Sequence, residues 1–179
     1  MLHITDLHLR AEPQATLLGV DTDHSLRAVL RQALSEATPD AVLVTGDIAH
    51  DPERAAYRRF VRIMNEHVVA PYLCVAGNHD IAGAMAQLLE PSELTLPGWR
   101  LVALDSHVDD TPQADVSAAD WDRVQAAIRA TDDRWVLVAT HHPPVRVDCP
   151  WLDKDRIKNG GELLESLSEH PSVKGMVFG

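Results

Sequence analysis

The chain has 179 residues, a formal net charge of −11 and 45% hydrophobic residues against 24% charged ones. This length and balance are typical of one globular domain with a sizeable core, and they exclude a largely disordered chain. The acidic charge argues against a protein held on nucleic acid or anionic lipid by a general positive field, so any affinity for an anion must be local.

The cysteines and the first residues favour an intracellular setting. Cys74 and Cys149 lack the density and spacing of a disulfide framework or a thiolate zinc site, so we expect plain thiols. The start of the sequence has neither the basic flank nor the apolar run of a signal peptide, and the sequence contains no run of 18 apolar residues. We therefore expect a cytoplasmic protein without a membrane segment.

Short apolar runs alternate with longer segments of helical period, which predicts an α/β domain. The strands are predicted over 2–5, 41–45, 72–76, 100–104, 135–140 and 174–178, and the helices over 24–37, 52–66, 117–130 and 161–168. The continuous apolar runs at 42–44 and 136–138 predict strands covered on both faces. Asp51 followed by Pro52, and Ser117, predict helix caps. Loops over 108–116 and 143–155 are long enough to cover a site.

Polar side chains follow four of the predicted strands at the point where each strand ends. They are Asp6 and His8 after the first strand, Asp47 after the second, Asn78, His79 and Asp80 after the third, and His141 and His142 after the fifth. Because the carboxyl ends of strands in a largely parallel open sheet face one crevice, we expect these side chains to converge there.

Each of these motifs also has an ordinary structural interpretation. Asp-x-His and Gly-Asp are common turn sequences, and His-His-Pro-Pro can simply end a strand. Gly-Asn-His-Asp is more specific, since a given tetrapeptide rarely occurs by chance in a chain of this length. Carboxylate, amide and imidazole ligands together suit Mn, Fe or Zn, so the joint pattern predicts a site for two metal ions.

The order of these motifs resembles the calcineurin-like metallophosphoesterase superfamily. Its pattern of Asp-x-His, Gly-Asp, Gly-Asn-His-Asp or Glu, and His is matched here at Asp6, Asp47, Asn78 and His141. The stretches at 4–9, 44–49, 141–144 and 158–164 are similar to class III cyclic-nucleotide phosphodiesterases. The resemblance covers essentially the whole chain and implies an αββα sandwich, here as a single domain over 1–179.

The resemblance also implies a role for each matched residue. Asp6 and His8 would ligate one metal, Asp47 would bridge both metals, and Asn78 and His141 would ligate the second. A metal-bridging hydroxide would attack phosphorus, and His79 would protonate the departing oxygen without touching metal. Next to these motifs, we expect His50 and His142 to contact the substrate.

The family's last motif, Gly-His-x-His, is not found in these 179 residues, although it is expected directly after the strand over 174–178. Our expectation is a truncated chain in which the C-terminal part of the second sheet is missing. Each metal would then lack one imidazole, and uncovered apolar surface would favour self-association as a homo-oligomer.

The leading functional prediction is a metal-dependent phosphodiesterase for small molecules, with 3',5'-cyclic nucleotides such as cyclic AMP favoured by the resemblance. One alternative is a broad phosphodiesterase or phosphomonoesterase acting on substrates such as glycerophosphodiesters. Another is a catalytically impaired metal-binding remnant, because two histidine ligands are absent. A nuclease is disfavoured, since the chain has neither the extra segments nor the positive surface that DNA binding needs.

Overall fold

Two β-sheets pack face to face between two layers of helices in the computed structural model, which describes residues 1–108, 111 and 113–179. In chain order the elements are β1 (Leu2–Ile4), β2 (Thr16–Leu17), β3 (Val20–Asp21), α1 (Thr22–Glu36), β4 (Val42–Thr45), α2 (Arg54–His67), β5 (Tyr72–Val75), β6 (Glu93–Leu96), β7 (Trp99–Ala103), α3 (Ala118–Arg129), β8 (Trp135–Ala139), α4 (Gly160–Ser168) and β9 (Val173–Val177). One sheet has the parallel order β1-β4-β5, and the other has the order β6-β7-β8-β9.

The core follows from the alternation of side chains along the central strands. Val42 and Val44 of β4 pack in a cluster with α1 and α2, whereas Leu43 packs in a second cluster between the sheets. Val136 and Val138 of β8 pack in a third cluster with α3 and α4. Both strands are thus covered on both faces, and the predicted αββα sandwich is confirmed.

The predicted strands and helices are all present, with ends that differ by one or two residues. The prediction that one open sheet gathers the polar side chains was wrong. β1, β4 and β5 belong to one sheet and β8 to the other. The apolar cluster between the two sheets holds them face to face, so the ends of their strands can still meet. The hairpin of β2 and β3, and the antiparallel strand β6, were not predicted.

The predicted cap at Asp51 and Pro52 was also wrong. α2 begins at Arg54 after Glu53, which makes no side-chain cap. Asp51 instead accepts hydrogen bonds from Arg10 Nε at 2.7 Å and from the backbone N–H of Ala11 at 3.3 Å. A guanidinium partner is a stronger attraction for this carboxylate than a helix end. The predicted cap at Ser117 is confirmed, since its Oγ accepts from the backbone N–H of Asp120.

The structure also bears on the two cysteines, on the absence of a predicted membrane segment and on the two predicted loops. Cys74 and Cys149 are both free thiols, as predicted. Within the described residues, no helix is both long enough and apolar enough to cross a bilayer. Positions 109, 110 and 112 of the predicted loop over 108–116 lie outside the described residues, and the loop over 143–155 contains a short 3₁₀ turn at Leu152–Lys154.

A buried carboxylate joins the loop after β4 to the loop after β5. Asp80 is 3% exposed and accepts backbone N–H donors from Ile48, Ala49 and Gly77 at 3.0 to 3.2 Å. The hydroxyl of Tyr57 on α2 also donates to Asp80, at 3.2 Å. Burial raises the pKa of Asp80, and the backbone donors oppose that shift. Asp80 therefore fixes the two loops relative to each other and to α2.

We expect Asp80→Asn to lower the free energy of unfolding by about 3 kcal/mol, because the new amide group faces buried N–H donors that lose their acceptor. The control Tyr57→Phe removes one donor to Asp80 and the acceptor of the Ile81 N–H, so its expected loss is about 1.5 kcal/mol. Urea denaturation of both variants measures these losses. Equal losses would show that the carboxylate does not fix the loops.

Candidate metal centre

Three site residues stand in the left-handed backbone region, which side chains other than glycine rarely adopt. Asp6 has φ 55°, His8 has φ 46° and Asp47 has φ 51°. Asp and His tolerate this region better than most residues, but it still costs free energy. Backbone bonds hold the conformation, from Asp6 N–H to the Gly46 carbonyl at 3.2 Å and from His8 N–H to the Asp47 carbonyl at 2.9 Å. The loops after β1 and β4 thus support each other.

The carboxylate of Asp47 lies between two imidazole rings. Its Oδ2 is 3.6 Å from Nε2 of His8, and its Oδ1 is 3.6 Å from Nε2 of His141. Oδ1 also accepts the backbone N–H of His79 at 2.9 Å. Asp47 is 3% exposed, so water does not compete freely for these oxygens. Each oxygen of one buried carboxylate therefore faces a different imidazole.

The hydrogen bond of His141 fixes which of its nitrogens can act as a ligand. Nδ1 lies 2.6 Å from the Thr45 carbonyl oxygen, which can only accept, so the neutral ring carries its proton on Nδ1. Nε2 then presents a lone pair towards the amide oxygen of Asn78 at 3.2 Å. Two acceptors that face each other repel unless a cation lies between them. A backbone carbonyl that accepts from the other ring nitrogen is common for histidines that bind metals.

Two glycines allow the loops to approach this closely. A Cβ on Gly77 would lie 2.2 Å from Oδ1 of Asp47, and a Cβ on Gly46 would lie 2.5 Å from Nδ1 of His141. Gly46 also has a φ of +94°, which favours glycine. The glycines that precede Asp47 and Asn78 in the sequence motifs are thus required for space around the ligand side chains.

Asp6 and His8 contact each other at the edge of the site. Nε2 of His8 is 3.7 Å from Oδ1 of Asp6, and this contact raises the pKa of His8. Burial acts against ionisation of Asp6, but its contacts with His8 and with the Thr5 hydroxyl lower the pKa of Asp6. Thr5 Oγ1 donates to Oδ2 of Asp6 at 2.7 Å. Asp6 is therefore ionised at neutral pH, and its carboxylate oxygens can bind a cation.

His79 and His50 extend the site away from Asp47. The ring of His79 lies 4.9 Å from that of His8 and stacks on that of His50 at 5.1 Å. Burial lowers the pKa of His50, as do the neighbouring His79, His8 and Arg10. The structure therefore brings His50 beside the predicted proton donor, while substrate contact by His50 stays a prediction.

His142 is placed differently from the other histidines of the motifs. It is 2% exposed, its Nδ1 lies 2.9 Å from the hydroxyl of Ser106, and burial lowers its pKa to about 3. Thr140 Oγ1 donates to the same hydroxyl at 2.8 Å. His142 is thus a neutral, buried ring, and its predicted contact with substrate stays a prediction.

These side chains fit divalent cations by their donor chemistry. Ligand atoms of Asp6, His8 and Asp47 all lie within 4.8 Å of one another. The separations of 3.6 to 3.7 Å exceed a hydrogen bond, and they suit donors that share one cation at about 2.0 to 2.2 Å each. The structure gathers the five residues predicted as ligands, Asp6, His8, Asp47, Asn78 and His141. Sequence reasoning missed Thr5 and Thr45, since single contacts of this kind leave no periodic signal.

Comparisons with known proteins show which family the chain belongs to. A family model described as calcineurin-like phosphoesterase matches residues 1–179. The chain is similar to the 3',5'-cyclic adenosine monophosphate phosphodiesterase CpdA of Pseudomonas aeruginosa, with 33% identity over 185 residues that cover 100% of this chain and 68% of the relative. It is also similar to the 3',5'-cyclic-nucleotide phosphodiesterase alr5338 of Nostoc sp., with 32% identity over 98% of this chain and 68% of the relative.

Among solved structures, the chain resembles the purple acid phosphatase PPD1 from yellow lupin seeds. The TM-score is 0.57 at 14% identity, over 84% of this chain and 31% of that chain, so this likeness shows the fold alone. The resemblance drawn from the motifs is confirmed by the family model and the relatives. The chain belongs to the calcineurin-like phosphoesterase family and is a metal-dependent phosphoric ester hydrolase.

Proposed function

We propose that this chain hydrolyses phosphodiesters at a centre of two divalent cations, with 3',5'-cyclic nucleotides as its substrates. The observation that carries the proposal is the carboxylate of Asp47, whose two oxygens face His8 and His141 at 3.6 Å each. That placement supports a bridging role. Asp6 and His8 would hold one cation, and Asn78 and His141 the other. The mixed oxygen and nitrogen donors favour Mn, Fe or Zn.

Cations bound in such a centre polarise the phosphoryl oxygens and lower the pKa of a water molecule, which are the contributions of two-metal hydrolases. The residues of the chain then provide placement and charge. Asp6 and Asp47 supply negative charge to hold the cations, so the centre accepts an anionic substrate in a chain of net charge −11. The Thr45 carbonyl orients His141, and the Thr5 hydroxyl orients Asp6.

His79 is the residue that we assign to proton transfer. Its backbone N–H donates to Oδ1 of Asp47, so its position is tied to the carboxylate at the centre. Its ring instead lies against the rings of His8 and His50. In our proposal His79 gives a proton to the departing oxygen of the ester, and His50 borders the departing group.

The substrate class rests on the relatives rather than on the cavity shape. The similar proteins of Pseudomonas aeruginosa and Nostoc sp. are named as phosphodiesterases of cyclic AMP and of cyclic nucleotides. A cyclic nucleotide is a phosphodiester with a single negative charge, so it needs only local cations and not a broad basic surface. This agrees with the acidic composition of the chain.

We expect His79→Ala to lower kcat by about 10²- to 10⁴-fold with its metal content kept, because general acids contribute rate rather than cation binding. Asp47→Ala should lose both metal and activity, since it removes the carboxylate shared by both sides of the centre. Metal analysis and steady-state kinetics measure these effects, with His24→Ala on the exposed start of α1 as the histidine control. The same metal loss in both variants would refute the assigned roles.

We expect the Mn²⁺-loaded chain to prefer cyclic AMP and cyclic GMP over bis(p-nitrophenyl) phosphate and glycerophosphodiesters by at least tenfold in kcat/KM. Initial rates on this panel, with p-nitrophenyl phosphate as the monoester, measure the preference. Comparable rates across the panel would contradict the cyclic-nucleotide assignment and would favour a broad esterase.

A further inference from the structure

Three histidines that follow different strands form a compact cluster at one side of the centre. Each of His8, His50 and His79 places one ligand nitrogen within 4.8 Å of the others. The ring centroids are 4.9 Å apart for His8 and His79, 5.1 Å for His50 and His79, and 5.6 Å for His8 and His50. Three convergent imidazoles are a sufficient ligand set for a cation that keeps one open position.

Two nitrogens of this cluster lack the partner that a buried polar atom needs. Nδ1 of His8 and Nδ1 of His50 are both buried and have no hydrogen-bond partner among the residues that the structure describes. Such atoms are rare in native proteins and call for a specific explanation. Because both atoms are buried, open solvent does not satisfy them, and this observation is separate from the spacing of the rings.

The cluster shares one residue with the centre of the proposed function but differs from it in chemistry. Asp6, His8 and Asp47 offer two carboxylates and one imidazole, whereas His8, His50 and His79 offer nitrogen only. Carboxylate-rich sets suit cations such as Mn²⁺, and imidazole sets suit Zn²⁺. The nitrogen-only set therefore favours Zn²⁺ over Mn²⁺ more strongly than the mixed set does, and His8 belongs to both.

The charges around the cluster permit a second cation. The carboxylates of Asp6, Asp47 and Asp80 act electrostatically on His8. Arg10 acts in the opposite sense on His50, and this guanidinium is itself paired with Asp51 at 2.7 Å. The carboxylates therefore favour a cation on the His8 side of the cluster, and Asp51 partly neutralises Arg10 on the His50 side.

We propose that His8, His50 and His79 form a zinc site distinct from the hydrolytic centre, and that Zn²⁺ bound there inhibits hydrolysis by occupying His79 and competing for His8. The inhibition rests on the proposed function, since it assigns proton transfer to His79. The binding of zinc does not rest on that function. An excess of Zn²⁺ therefore lowers the rate of hydrolysis by the Mn²⁺- or Fe-loaded chain.

X-ray absorption at the zinc edge tests the coordination directly. The metal-free chain is loaded with one equivalent of Zn²⁺, and the imidazole scattering is counted. We expect three imidazoles on zinc, which the oxygen-rich centre cannot supply. Two or fewer imidazoles would overturn the proposal.

The variant His50→Gln removes one ligand of the cluster and none of the oxygen-rich set. We expect it to weaken Zn²⁺ binding at least tenfold by calorimetry, and to weaken zinc inhibition of Mn²⁺-supported hydrolysis by a similar factor. Mn²⁺ affinity, followed by electron paramagnetic resonance, should change less than twofold. His24→Gln on α1 is the matched control and should change neither affinity.

The outcomes separate this inference from the proposed function. Equal Zn²⁺ affinities of the parent and His50→Gln would overturn the zinc site, and so would a parallel loss of Mn²⁺ affinity. A chain that hydrolyses no phosphodiester would refute the proposed function, while the imidazole count would still decide the zinc site.

Discussion

The placement of one buried carboxylate organises this molecule. Asp47 has an oxygen towards His8 and another towards His141, and its Oδ1 also holds the backbone of His79. The two imidazoles come from different sheets, since His8 follows β1 and His141 follows β8. The sandwich must therefore be closed before the centre exists. The inter-sheet cluster around Leu43 and Leu101 holds the two sheets together, so the geometry of the site depends on this apolar packing.

The polar arrangement around that carboxylate has its own supports. Asp80 joins the loop of Asp47 to the loop of Asn78 through backbone N–H groups, and Thr45 and Thr5 orient the side chains on either side. These bonds counter the cost of the left-handed backbone at Asp6, His8 and Asp47. The loops keep this strained backbone because hydrogen bonds join each loop to the next one.

Much of this could be predicted from the sequence, for identifiable reasons. Continuous apolar runs mark β4 and β8 because these strands are covered on both faces, and the motif residues stand directly after strands. The division into two sheets could not be derived from periodicity, since both have parallel strands with the same pattern. Asp51 looked like a helix cap because its partner Arg10 lies 41 positions away. The clustering of His50 with His8 and His79 likewise depends on tertiary contacts that no local pattern encodes.

The proposed function requires Asp47 to lie between two cations. Anomalous X-ray scattering from crystals of the Mn²⁺-loaded chain, recorded at the manganese edge, tests it most directly. We expect two peaks about 3.5 to 4 Å apart, one on each side of the Asp47 carboxylate. A single peak, or a pair of peaks that does not flank Asp47, would contradict it.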